Sequence, residues 1–202
     1  MFNNCKLIIY GPNIRLGGGL VLLNQLIKLN KNINTTWIIS NLFKNLKLNA
    51  YFIDPGIFNR LKAELLLKRK SDKNTKILCF NGIPPFFNNR SKIYIYLQNR
   101  LLIDNFDLTN FNLKIRIRLF IEKEILKFNW RNIECFFVQT KTMKLKLIKF
   151  SKKFNLKNKK IIIAPFSSDI NVKKKITLKN QNSIKFIYPS NFQPHKNHTQ
   201  LI

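Results

Sequence analysis

The chain has 202 residues, 45% of them hydrophobic, which suffices for one full domain with a core and the opening of another. Lys and Arg number 37 against 9 Asp and Glu, a net charge of +28. The longest apolar runs are broken within a few residues by Lys, Asn or Arg, which excludes a membrane-spanning helix of about 20 apolar residues.

In chain order, short β-like runs alternate with longer helical ones. Met1-Phe2-Asn3-Asn4-Cys5-Lys6 enters a first strand, Lys6–Tyr10, with no apolar signal segment before it. Gly17-Gly18-Gly19 reads as a loop, and Leu20–Leu29 as a helix through Leu22, Leu23, Leu26, Ile27 and Leu29. Thr36–Ile39 and Ala50–Ile53 read as strands, and Asn59–Lys70 as a helix with a Lys/Arg face. Lys76–Phe80 and Ile93–Leu97 are strands rich in Ile, Tyr and Phe. Leu113–Phe128 is the strongest helix, with Glu122 and Glu124 set among Arg116, Arg118, Lys123 and Lys127. Cys135–Gln139, Thr142–Phe154 and Lys160–Ala164 follow as strand, helix and strand. This alternation predicts an α/β fold, a Rossmann-like parallel sheet with helices on both faces, over residues 1–166. The Ser/Asn/Lys-rich stretch 167–183, with Lys173-Lys174-Lys175 inside it, reads as a linker. Residues 184–202 read as the first strand and helix start of a second Rossmann-like domain.

Cys5, Cys79 and Cys135 each sit in an apolar run, as buried reduced thiols of a cytosolic protein do. The positive charge has three readings. Lys, Asn, Ile and Phe all have AT-rich codons, so genome bias supplies one. A field of this sign also attracts an anionic membrane surface, and it attracts nucleic acid, although the aromatic-and-basic motifs of common RNA and DNA folds are missing.

In parallel α/β sheets ligands bind beyond the carboxyl ends of the strands, which selects the loops that matter. Gly18 and Gly19, ahead of a helix, let the backbone approach a phosphate or sugar closely. The run matches neither Gly-x-Gly-x-x-Gly nor a P-loop. Gln98, Asn99 and Arg100 follow one strand and Asn81 another; two amides and a guanidinium suit sugar hydroxyls or an acceptor phosphate. Thr140 reads first as a helix cap. Near the end, Phe186–Tyr188 leads through Pro189 and Pro194 to Lys196, placed where a helix starts, which together make an anion pocket for a diphosphate. His195 and His198 lack a third ligand, so no metal is expected.

Tyr188-Pro189 through His195-Lys196-Asn197-His198 resembles the opening of the second domain in retaining family-4 glycosyltransferases of the GT-B type. Ile8-Ile9-Tyr10-Gly11 running into Gly17-Gly18-Gly19 resembles that family's first strand and glycine loop. Leu78-Cys79-Phe80-Asn81-Gly82-Ile83-Pro84-Pro85 and Tyr96-Leu97-Gln98-Asn99-Arg100 resemble its mid-domain strand ends. Val138-Gln139-Thr140-Lys141-Thr142-Met143 resembles its V-x-T-x-x-M turn, and Ile163-Ala164-Pro165-Phe166 the exit from its first domain. The resemblance implies transfer of a sugar from a nucleoside-diphosphate sugar to a glycan or lipid-linked acceptor, in cell-surface polysaccharide synthesis. Lys196, Gly18 and Gly19 would hold the donor diphosphate, and Gln98, Asn99, Arg100 and Asn81 the acceptor or sugar. No cofactor is implied; the nucleotide sugar enters as substrate. The implied location is cytoplasmic, peripheral at the inner face of the plasma membrane. Two departures stand out. The family's Glu-x7-Glu is absent, so these residues alone are expected to be an incomplete, inactive enzyme. The Arg usual before the diphosphate Lys is replaced by Ser190, Asn191 and Phe192. The alternative reading is a non-catalytic basic α/β domain that binds membrane or nucleic acid.

Overall fold

A computed structural model describes residues 6–30, 34–87, 91–109 and 111–165. The linker, the start of a second domain and Lys196 fall outside the described residues, as does Cys5. Among the described residues seven strands form one sheet: β1 (Leu7–Gly11), β2 (Thr35–Ser40), β3 (Ala50–Ile53), β4 (Lys76–Cys79), β5 (Lys92–Leu97), β6 (Ile133–Val138) and β7 (Lys160–Ile163). Their order is β3-β2-β1-β4-β5-β6-β7, and every neighbouring pair is parallel. The chain builds outward from β1 to β3, then crosses back to β4 and builds the other way. That reversal puts a topological switch between β1 and β4.

Four helices among the same residues cover the sheet: α1 (Gly17–Leu29), α2 (Ile57–Lys70), α3 (Leu113–Phe128) and α4 (Lys141–Lys153). Strand residues alternate between faces, so each strand feeds two cores. On one face Ile8, Ile38, Ile77, Ile95 and Phe136 meet Leu67 of α2, Leu119 and Leu126 of α3, and Leu147 of α4. On the other, Ile9, Trp37 and Ile39 meet Leu23 and Ile27 of α1. Burying each such aliphatic chain stabilises the fold by roughly 1.5–3 kcal/mol. The β5–β6 register shifts where Ile93 faces Ile133 and Tyr94 faces Cys135. The extra residue, Glu134, is exposed, and the bulge lets both Ile133 and Phe136 reach one core.

Helix starts follow local chemistry. Asn112 Oδ1 accepts from the Lys114 N–H at 3.0 Å and Thr140 Oγ1 from the Met143 N–H at 3.2 Å. Those side chains cap α3 and α4, so Thr140 has the capping role its type suggested. The glycine run differs from its expected loop form. Gly17, at φ +68°, turns the chain directly into α1, so all three glycines lie in the first helical turn. A side chain disfavours that φ, and glycine does not.

Candidate functional site

The loops after β1, β4, β5 and β6 converge at the carboxyl end of the sheet, around the switch between β1 and β4. After β1 the chain turns tightly, the Ile14 N–H donating to the Gly11 carbonyl at 3.3 Å. A Cβ on Gly11 would stand 2.9 Å from Ile14 Cδ1, so glycine is what lets Ile14 tuck under the loop. Arg15 follows, and its Nη2 donates to the Ile53 carbonyl at the end of β3, at 3.1 Å. Next comes α1, whose N-terminus carries no side-chain cap. The first-turn N–H groups and the positive end of the helix dipole therefore face outward without a competing carboxylate or hydroxyl at the cap. Added Cβ atoms at Gly17 and Gly18 would meet nothing within 4 Å. Another group can come up to the backbone there.

Gln98 joins this loop to the middle of the sheet. Its Nε2 donates to the Phe80 carbonyl at 3.0 Å, and its Oε1 lies 3.1 Å from where a Cβ on Gly19 would stand. The structure thus brings Gly19 and Gln98 together across the switch. Beneath them Phe80 stacks on Tyr96, with centroids 5.0 Å apart and planes 7° from parallel. The Tyr96 hydroxyl donates to the Ala164 carbonyl at 3.3 Å. Burial pushes this phenol above its ordinary value, against a smaller opposing hydrogen bond with Gln139, so it remains a donor at neutral pH.

The other expected residues are engaged within the protein. Asn99 Oδ1 accepts from the Leu101 N–H at 3.0 Å, capping a single 3-10 turn, Arg100–Leu102. Arg100 pairs with Asp104 at 2.8 Å and lies over the Phe106 ring at 5.0 Å. Asn81, in the amide orientation that satisfies both neighbours, accepts from Arg60 Nη1 at 3.0 Å and donates to the Ile83 carbonyl at 3.3 Å. Gly19 and Gln98 are therefore brought together beside the exposed Gly18, while Asn99, Arg100 and Asn81 are taken up in holding the neighbouring loops.

A buried cluster at the end of β1 is one that sequence reasoning does not single out. Glu64 of α2, with a side chain only 2% exposed, accepts from the Tyr10 hydroxyl at 2.9 Å and from the Phe86 N–H at 3.1 Å. It pairs with Arg60 at 3.0 Å, and that guanidinium lies 4.9 Å from the Tyr10 ring centroid. Burial drives the Tyr10 hydroxyl and the Cys79 thiol well above their ordinary values, so neither is a nucleophile near neutral pH. The cluster ties α2 and the β4–β5 connection to the end of β1. In sequence Glu64 sits among Lys and Arg and reads as a surface charge. Its place beside Ala63 and one turn before Leu67, both fully buried, is the signal that reveals it. Arg15 is a second such residue; a cation directly ahead of the glycine run, at the carboxyl end of β1, is its signal.

A separate pocket of about 740 Å³ opens at the other end of the sheet, between Lys127, Arg131, Lys157 and Lys159. Its polar groups brace the fold: Trp130 Nε1 donates to the Lys157 carbonyl at 2.7 Å and Lys159 Nζ to the Arg131 carbonyl at 2.9 Å. It lies before β6 and β7, away from the strand ends where parallel sheets bind ligands. Among the described residues no group of His, Cys, Asp and Glu could hold a metal ion. No family model, curated protein or solved structure matches the chain.

Proposed function

We propose that this chain carries the acceptor-side domain of a GT-B-type glycosyltransferase that moves a sugar from a nucleoside-diphosphate sugar to a glycan or lipid-linked acceptor. The observation that carries the reading is the open backbone at Gly17 and Gly18, next to Gly19, which lies against Gln98 near the switch between β1 and β4. An uncapped helix N-terminus there suits a diphosphate or a charged acceptor. Arg15 adds a guanidinium in the same loop, and Gln98 adds a carbonyl oxygen suited to a sugar hydroxyl. The chemistry assigned to the site is stabilisation of negative charge on the departing diphosphate, shared by the α1 amides and by Lys196, which lies outside the described residues.

Gly18→Val tests the reading cleanly, because its new side chain enters open space in the free protein and clashes only with a ligand. Calorimetric titration with nucleoside diphosphates should show binding that this variant weakens by about tenfold or more, at an unchanged melting temperature. Binding that ignores Gly18, or no binding by the parent protein, overturns the proposal.

A further inference from the structure

The outer faces of α2 and α3 carry apolar side chains that the core does not use. On α3, Leu113, Ile117, Phe120, Ile121 and Phe128 recur at helical spacing on the side opposite the buried Leu119 and Leu126. Phe120 is 64% exposed and Phe128 81%. On α2, Ile57, Phe58, Leu61 and Leu65 form a second outward stripe, with Phe58 81% exposed. Both helices lie on the same face of the sheet, with Ala63 and Leu67 of α2 and Leu119 and Leu126 of α3 in one core. Phe86, whose N–H is held by Glu64, joins Phe120, Ile121 and Phe128 in a groove of about 720 Å³ along α3, closed on its other side by Phe154 and Leu156.

Cations border this apolar surface. By helical period Lys114 and Arg118 lie along one side of the α3 stripe and Arg116 along the other, while Lys123 lies over Phe150 and Phe154 of the α4 region. Two carboxylates interrupt α3, and both are paired: Glu122 with Arg118 at 3.6 Å and Glu124 with Lys127 at 2.6 Å.

We infer that the α2–α3 face docks on an anionic lipid bilayer, with Ile117, Phe120 and Phe128 entering the headgroup–acyl boundary and the flanking Lys and Arg meeting lipid phosphates. The inference is independent of the transfer reading. The combination of chemistries selects the occupant. A second copy of the chain offers a matching apolar face but brings its own +28 charge. Nucleic acid satisfies the cations and leaves the stripe in water. An anionic bilayer takes both, through the apolar area buried and the charge attracted. No helix among the described residues is long and apolar enough to cross a membrane, so the geometry is that of a helix lying on the surface.

The test uses the full chain and two vesicle types, neutral phosphatidylcholine and the same lipid with about one third phosphatidylglycerol. Cosedimentation should favour the anionic vesicles and weaken as salt rises. The double variant Ile117→Gln, Phe120→Gln should lose about tenfold or more in binding at physiological salt with unchanged circular dichroism, whereas Leu145→Gln on α4 should lose little. Trp37 and Trp130 are buried, so a Phe120→Trp variant adds an indole whose emission is read as the difference from the parent. Anionic vesicles should shift that difference emission to the blue, and brominated acyl chains should quench it. Equal binding by the Gln double variant, or a difference emission that vesicles leave unchanged, overturns the inference. So does a dimer in sedimentation equilibrium that the double variant abolishes, which would assign the face to a second copy. Tighter binding to duplex DNA, competing the vesicles away, would assign the cations to nucleic acid.

Discussion

α3 and α4 lie on the same face of the sheet and are both rich in Lys, yet they turn their apolar residues in opposite directions. α4 buries Met143, Leu147, Phe150 and Ser151 and leaves Leu145 as its exposed large apolar residue. Its charges reach other elements: Lys146 bonds Asp104, and Lys153 donates to Asn105 at 3.3 Å. α3 buries Leu119 and Leu126 and exposes most of the rest. Its ion pairs stay within the helix, while Lys123 and Lys127 lie over Phe150 and Phe154 of the α4 region. α4 is thus an ordinary amphipathic helix whose apolar content is accounted for by the core. α3 has more apolar surface than the core consumes, and the surplus forms one stripe bounded by cations. Core packing explains the first pattern and not the second.

α2 shares the outward stripe of α3 but is anchored by a buried carboxylate, and the largest expected effect lies there. Glu64→Leu leaves the Tyr10 hydroxyl and the Phe86 N–H without their acceptor and the Arg60 guanidinium without its carboxylate, with Asn81 still accepting from it. Breaking a buried ion pair from one side costs about 3–5 kcal/mol. Urea unfolding should show a midpoint lowered accordingly. A near-normal midpoint would mean that α2 is held by its apolar contacts alone, as α4 is.

A matched pair of truncations measures the contrast between α3 and α4 directly. Leu147→Ala opens a cavity under α4 and should cost about 2–5 kcal/mol. Phe120→Ala removes a larger side chain from α3, yet in the free protein it should change stability by no more than about 0.5 kcal/mol. Comparable losses at the two positions would show that the outward stripe of α3 is covered in solution.

The same contrast shows what the sequence makes legible. Strand and helix positions are readable because β-branched and aromatic runs alternate with helical spacing, and a parallel sheet follows from that alternation. Lys6–Tyr10 against the observed Leu7–Gly11 is typical of the agreement. Which face of a helix packs is a different matter. In α3 the inner stripe at Leu119 and Leu126 and the outer one at Leu113, Ile117 and Phe120 have the same period. Only the tertiary structure separates them. The candidate site is legible at the level of loops, since Gly18, Gly19 and Gln98 all follow strand ends. Asn99 and Arg100 occupy an equally promising loop, but a local cap and an Asp four residues on take up their side chains. Asx caps compete for amide groups wherever a turn follows, and nothing in residue type shows which demand wins. Glu64 is hidden for the converse reason: its partners Tyr10 and Phe86 are far away in sequence.

The smallest expected effect is one of sign, and it separates the two helices by titration. Asp104 is held below its ordinary value first by its hydrogen bond from Lys146 of α4, with Arg100 adding to it. A depressed carboxylate contributes stability that is present above the unfolded value of about 3.9 and is lost as pH falls through the folded one. Asp104→Asn should therefore flatten the acid limb of the stability–pH curve below about pH 4. Glu122 of α3 moves the other way. Burial raises it, and the nearby Arg118 only partly opposes the rise. A raised carboxyl favours the folded state at low pH, and that advantage is lost as pH climbs from the unfolded value through the folded one. Glu122→Gln should then leave neutral-pH stability unchanged or slightly higher and steepen the acid limb. Melting temperatures measured from about pH 3 to 7 for the parent and both variants decide the matter. Slopes of the same sign for the two variants would mean that Glu122 is held by Arg118 as firmly as Asp104 is by Lys146, and the electrostatic half of the contrast between α3 and α4 would fall.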